Sequence, residues 1–87
     1  NYNKSFKYIE KNKGKLDSKL SNINSKINKS NVSYSRKSKL SDINNNIEKY
    51  KKTLLIDIIL AATLLENLLN DLDWLYNEIN SDINSYL

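Results

Sequence analysis

Leu54 to Asn70 reads LLIDIILAATLLENLLN, the most apolar stretch of a chain otherwise dominated by Lys, Asn and Ser. From Leu54 to Leu65 it is interrupted only by Asp57 and Thr63 and spans twelve residues. A bilayer-spanning helix needs about twenty. We therefore read a buried core helix here and expect no transmembrane segment. Between Leu54 and Leu69 the apolar residues cover nearly the whole circumference of a helix. Such a helix sits at the centre of a bundle or in an oligomer interface.

On both sides of this stretch the apolar residues narrow to a stripe at helical spacing. Upstream it holds Leu40, Ile43, Ile47, Tyr50 and Leu54, and downstream Ile58, Ala61, Leu65, Leu68, Leu72, Leu75, Ile79 and Ile83. Two consecutive steps of four around Leu54 make a stutter in heptad terms. An earlier stripe runs through Phe6, Ile9, Leu16, Leu20, Ile23 and Ile27, with Lys13 at the missing step. It predicts a first helix over Lys4–Asn28. Gly14 within it costs about 1 kcal/mol relative to Ala, and marks a point of bending or close backbone contact. Asn and Ser are mediocre helix formers, so this helix needs a partner surface.

Between the stripes, Lys29–Lys37 (KSNVSYSRK) breaks the period. Clustered Ser and Asn bond their own backbone, so residues 29–37 read as an interhelical loop, with Ser35 or Ser38 capping the next helix. Further breaks are expected near Lys52 and near Asn70, where Asn70 and Asp71 suit a helix start. No period-two run predicts a strand. The fold class is all-α: a small antiparallel bundle of three to four helices forming a single domain over residues 1–87. One unbroken helix from Lys37 to Tyr86 is the alternative. The chain opens without Met, as a fragment or processed form does, so a membrane tether would lie outside it.

The charge is sharply divided. All fourteen Lys and Arg residues lie at or before Lys52, with four acids among them, and the remaining thirty-five residues hold six acids and no cation. A +10 segment thus precedes a −6 segment. Folding back would set the basic first helix against the acidic last one.

Several functions are excluded or disfavoured by residue type. With no Cys and no His, thiolate and imidazole chemistry are absent. Asp71-Leu72-Asp73 with Asn77 and Glu78 superficially resembles a calcium loop, but Leu75 falls on a ligand position and Tyr76 on the required Gly. Pairs drawn from Asp71, Glu78 and Asp82 lack a pocket that would set them apart as acid and base. We expect no enzyme, no metal and no cofactor. Lys4, Lys7, Lys11, Lys15, Lys19 and Lys26 form a basic face, yet one Arg and no binding motif make nucleic-acid binding through the basic N-terminal half a lesser alternative.

Trp74 is the most suggestive single residue. It lies off the core stripe among Asn67, Asn70, Glu78 and Ser81, as a binding hot spot would. Tyr8 is displaced from its own stripe in the same way, and Tyr34 and Arg36 add residue types enriched at interfaces. A wide bundle would instead bury Trp74.

The Lys-, Asn-, Ile- and Ser-rich, Pro-free and Cys-free helical character resembles helical surface lipoproteins of Borrelia spirochaetes. That resemblance covers composition and helical pattern along the whole chain, and it carries over no functional residue. It implies a secreted or cell-surface bundle that binds a host protein of the complement or matrix kind. Independently of it, the sequence supports a protein-binding module using Trp74, Tyr8, Tyr34 and Arg36. The alternative is a homo-oligomeric coiled-coil or bundle segment joined through Leu54–Leu69.

Overall fold

The computed structural model of the chain describes residues 1–29 and 31–85. Ser30, inside the expected 29–37 loop, and Tyr86, the end of the long-helix alternative, lie outside them. The described residues form three helices: α1 (Tyr2–Lys29), α2 (Tyr34–Thr53) and α3 (Ile58–Asn84). There are three, not four.

The break near Lys52 is present and the one near Asn70 is not. Four backbone N–H groups close the α2–α3 turn. Leu54 donates to the Tyr50 carbonyl, Leu55 to Lys52, and both Ile56 and Asp57 to Thr53. Asp57 then adopts an extended conformation, and its carboxylate accepts the Leu60 N–H at 3.1 Å, which starts α3. Asn70 and Asp71 are mid-helix because Leu68, Leu69, Leu72 and Leu75 are buried on both sides of them, and an unbroken helix keeps that surface in register.

The loop after α1 is shorter than its composition suggests. Ser33, not Ser35 or Ser38, caps α2 by accepting the Arg36 N–H. Tyr34–Lys37 are therefore helical, and Val32 anchors the connector by burying its side chain in the core. At the other end of α1, the Asn1 side chain accepts the Lys4 N–H at 2.9 Å. No described residue has a positive φ, so these turns need no glycine.

α3 is the central element. It packs along α1 and along α2, whereas α1 and α2 scarcely meet. Its buried residues Ala61, Leu65, Leu68, Leu69, Leu72, Leu75 and Ile79 accordingly form a broader band than either neighbour's. α1 contributes Ile9, Leu16 and Ile23, one every seventh residue, and α2 contributes Leu40, Ile43, Ile47 and Tyr50.

Consecutive helices are antiparallel, and the folding back sets the basic first helix against the acidic last one as expected, though in the same direction. α1 and α3 run parallel: Ser5 lies beside Ile59, Lys19 pairs with Asp73, and Lys26 stands over the Tyr76 ring. Two chain reversals restore the original direction.

Three further expectations change. The missing step of the α1 stripe is filled by Asn12, which is buried and donates to the Tyr8 carbonyl at 2.8 Å. Lys13 is exposed and pairs with Glu10. The Leu54–Leu69 segment is not buried all round, since Leu55 and Ile56 are 86% and 84% exposed and Ile59 and Leu60 are also exposed. Finally, Gly14 makes no close backbone contact. A Cβ there would meet nothing within 4 Å, and α1 runs through it without a break.

That open space makes Gly14→Ala a test of the α1 assignment. Ala removes the backbone-entropy cost of Gly in a helix interior, so stability should rise by about 1 kcal/mol, read as a higher urea midpoint at unchanged slope. Leu72→Ala, at a fully buried site between both neighbours, should lower stability by about 2–5 kcal/mol in the same measurement.

Candidate functional site

Trp74, Glu78 and Asp82 follow one another at steps of four on α3, which stacks them along one face of the helix. Arg36 from the first turn of α2 lies across all three. Its Nε donates to Asp82 Oδ2 at 2.8 Å, and its Nη2 donates to Glu78 Oε2 at 2.9 Å and to Asp82 Oδ1 at 3.3 Å. The guanidinium carbon sits 5.7 Å from the Trp74 ring centroid, and Lys39 Nζ stands 5.9 Å from the same ring. Two cations of α2 thus lie within about 6 Å of the indole. Each contact of this kind is worth about 0.5–1 kcal/mol at an exposed site.

Trp74 is 46% exposed, between the two fates its sequence position allowed: one part is covered by α2 and the other meets solvent. The fork of Arg36 fits the two carboxylates because a planar guanidinium presents several donors in fixed directions, Nε and Nη2 to Asp82 and Nη2 to Glu78, a bidentate geometry that a Lys ammonium lacks. This one residue reads the acidic face of the last helix. The hydrogen bond and charge of Arg36 hold the Asp82 carboxyl below the usual carboxylate range. In turn, the Asp82 hydrogen bond, followed by the charges of Asp82 and Glu78, raises the Arg36 pKa.

The other two candidate residues are not part of this cluster. Tyr34 is 85% exposed but lies two residues before Arg36, which puts it on another side of the same turn. Tyr8 lies at the α1–α3 seam instead. It packs against the core and lines clefts with Asn12, Gly14 and Glu66, and burial together with the Glu66 charge pushes its phenol pKa up. Sequence reading missed Lys39, whose spacing of three from Arg36 on a helix was the available signal.

The charge division is realised through few contacts. Among the described residues, the pairs that reach α3 from another helix are Lys19–Asp73, Arg36–Glu78 and Arg36–Asp82. Most of the α1 lysines face solvent. Among the described residues, no group of three or more acids is placed to hold a metal ion, and no helix is long and apolar enough to cross a membrane.

Compared with protein families, curated proteins and solved structures, the chain matches none.

The Asp82 shift has a definite sign in stability. A carboxyl whose folded pKa lies below its unfolded value stabilises the fold above the unfolded pKa, and that contribution disappears as pH falls through the folded pKa. Stability should therefore decline as pH drops below the ordinary Asp value of 3.8. Arg36→Gln should shrink that acid-limb loss in urea unfolding followed by CD at a series of pH values. An unchanged acid limb would show that the bridge contributes nothing in solution.

Proposed function

We propose that this chain is a non-enzymatic helical module that binds a protein partner through the face carrying Trp74 and Arg36, in a cell-surface or secreted setting. The observation that carries the reading is the half-exposed indole of Trp74, in contact with Arg36 and Lys39 of a second helix. Trp and Arg are the residue types that dominate binding hot spots, and a side chain already ordered before contact loses less entropy on binding. Glu78 and Asp82 hold the guanidinium in place, leaving the outer edge of the indole for a partner. Tyr34 and Tyr8 lie outside this face and become secondary candidates. The cell-surface setting rests on compositional resemblance to spirochaete surface lipoproteins, whose partners are host complement or matrix proteins.

The test uses immobilised protein in serum, with Trp74→Ala as the variant. Wild type should retain a partner that the variant binds more weakly by about 2 kcal/mol, roughly thirtyfold, while the helical CD spectrum stays the same. Equal retention by the two proteins would remove Trp74 from the interface. A melted spectrum would assign it a structural role.

A further inference from the structure

Of the eight large apolar residues exposed among the described residues, six lie at one end of the bundle: Tyr2, Phe6, Leu55, Ile56, Ile59 and Leu60. The topology gathers them there. α1 and α3 run parallel and start at the same end, and the α2–α3 turn, leading directly into α3, lies at that end too. Tyr2 and Phe6 stack with ring centroids 6.4 Å apart. Leu55 and Ile56 sit in the turn itself and are among the most exposed side chains of their kind in the protein. Isolated exposed apolar residues are ordinary, but a cluster of six at one pole is a surface with a use.

Two features indicate what covers it. First, the cluster is bordered by exposed Lys4, Lys7, Lys51 and Lys52, against a single acid in the same segments, Asp57, which is engaged in capping α3. Second, the turn takes up four of its own donors, because the N–H groups of Leu54, Leu55, Ile56 and Asp57 are all bonded within it. The fewer backbone groups a segment leaves unbonded, the less it costs to bring that segment to the low-dielectric boundary of a lipid layer. A convex apolar turn with a lysine border matches an anionic lipid surface. Apolar side chains would enter the headgroup–acyl boundary, while lysines would reach phosphate and carboxylate groups along their methylene stems. A second copy of this chain fits less well, since tip-to-tip contact would bring two lysine borders together.

We propose that this apolar pole is a peripheral membrane-contact site for anionic lipid, separate from the Trp74 face. Leu55 and Ile56 would be the inserting residues, with Lys52 and Lys51 as headgroup contacts, Lys51 exchanging its exposed 3.5 Å pair with Glu48 for a lipid phosphate.

Flotation of the whole chain with phosphatidylserine-containing phosphatidylcholine vesicles, and with pure phosphatidylcholine vesicles, tests the proposal. Wild type should float with the anionic vesicles only. Leu55→Ser/Ile56→Ser should keep its helical CD spectrum, because both side chains already face solvent, and lose about tenfold or more of its partitioning. Lys51→Glu/Lys52→Glu should weaken partitioning as well, and Trp74→Ala should leave it unchanged. Failure of wild type to float with anionic vesicles overturns the proposal. Partitioning that ignores Leu55→Ser/Ile56→Ser also overturns it, by assigning adhesion to the general basic surface. A concentration-dependent oligomer in sedimentation, abolished by Leu55→Ser/Ile56→Ser and accompanied by no flotation, would place a second copy on the pole.

Discussion

Burial of the α3 apolar band between two polar helices is the interaction on which everything else depends. α1 and α2 are rich in Lys, Asn and Ser, residue types that give a lone helix little support in water. Each offers only a narrow stripe: Ile9, Leu16 and Ile23 from one, Leu40, Ile43 and Ile47 from the other. Neither stripe has enough area to stabilise its helix alone, and the two helices scarcely touch. Both are held by α3, whose Leu65, Leu72 and Ile79 are fully buried. Burying a Leu or Ile side chain is worth about 1.5–3 kcal/mol, so a small number of such positions accounts for much of the cohesion.

This dependence also shapes the surface. α3 must show apolar residues to both neighbours, so its polar face is narrow, and the Trp74–Glu78–Asp82 line lies near the α2 border. Arg36 reaches that line because the Ser33 cap starts α2 early, which places Arg36 in the first turn. A helix capped by Ser38 would leave Arg36 in a connector. The cap, the ion pair and the indole beside it therefore belong to one local arrangement, and the candidate binding face is as ordered as the helix start beneath it.

The charge division has a smaller structural role than its size suggests. Exposed pairs are individually worth about 0–1 kcal/mol, and only three cross to the acidic helix among the described residues. Arg36 is the exception by geometry, since its fork meets two carboxylates at once. The remaining lysines leave a basic surface on α1 and around the apolar pole, where it can act on something outside the chain.

The sequence by itself determined that the chain is helical, that its apolar stripes lie where the core is, the exposed Phe6 apart, and that Trp74 stands off the α3 stripe, because side-chain periodicity is a local property. It also held a signal for the α2–α3 break. Asp57 suits a helix N-cap, but amid Leu and Ile it reads as an interruption of one apolar run. Tertiary structure alone decided the rest. Asn70 looks like a cap, yet leucines before and after it are buried against the neighbouring helices, and that burial outweighs local preference. Asn12 replaced Lys13 at the core because the α1 face is set by what α3 presents, and a short amide can bond the preceding turn where a Lys would bury a charge. The pairing of Arg36 with residues more than forty positions away, and the gathering of six apolar side chains at one end, follow from helix direction and packing. Periodicity reports which face of a helix is apolar. It carries no record of which helix that face will meet, or in which direction.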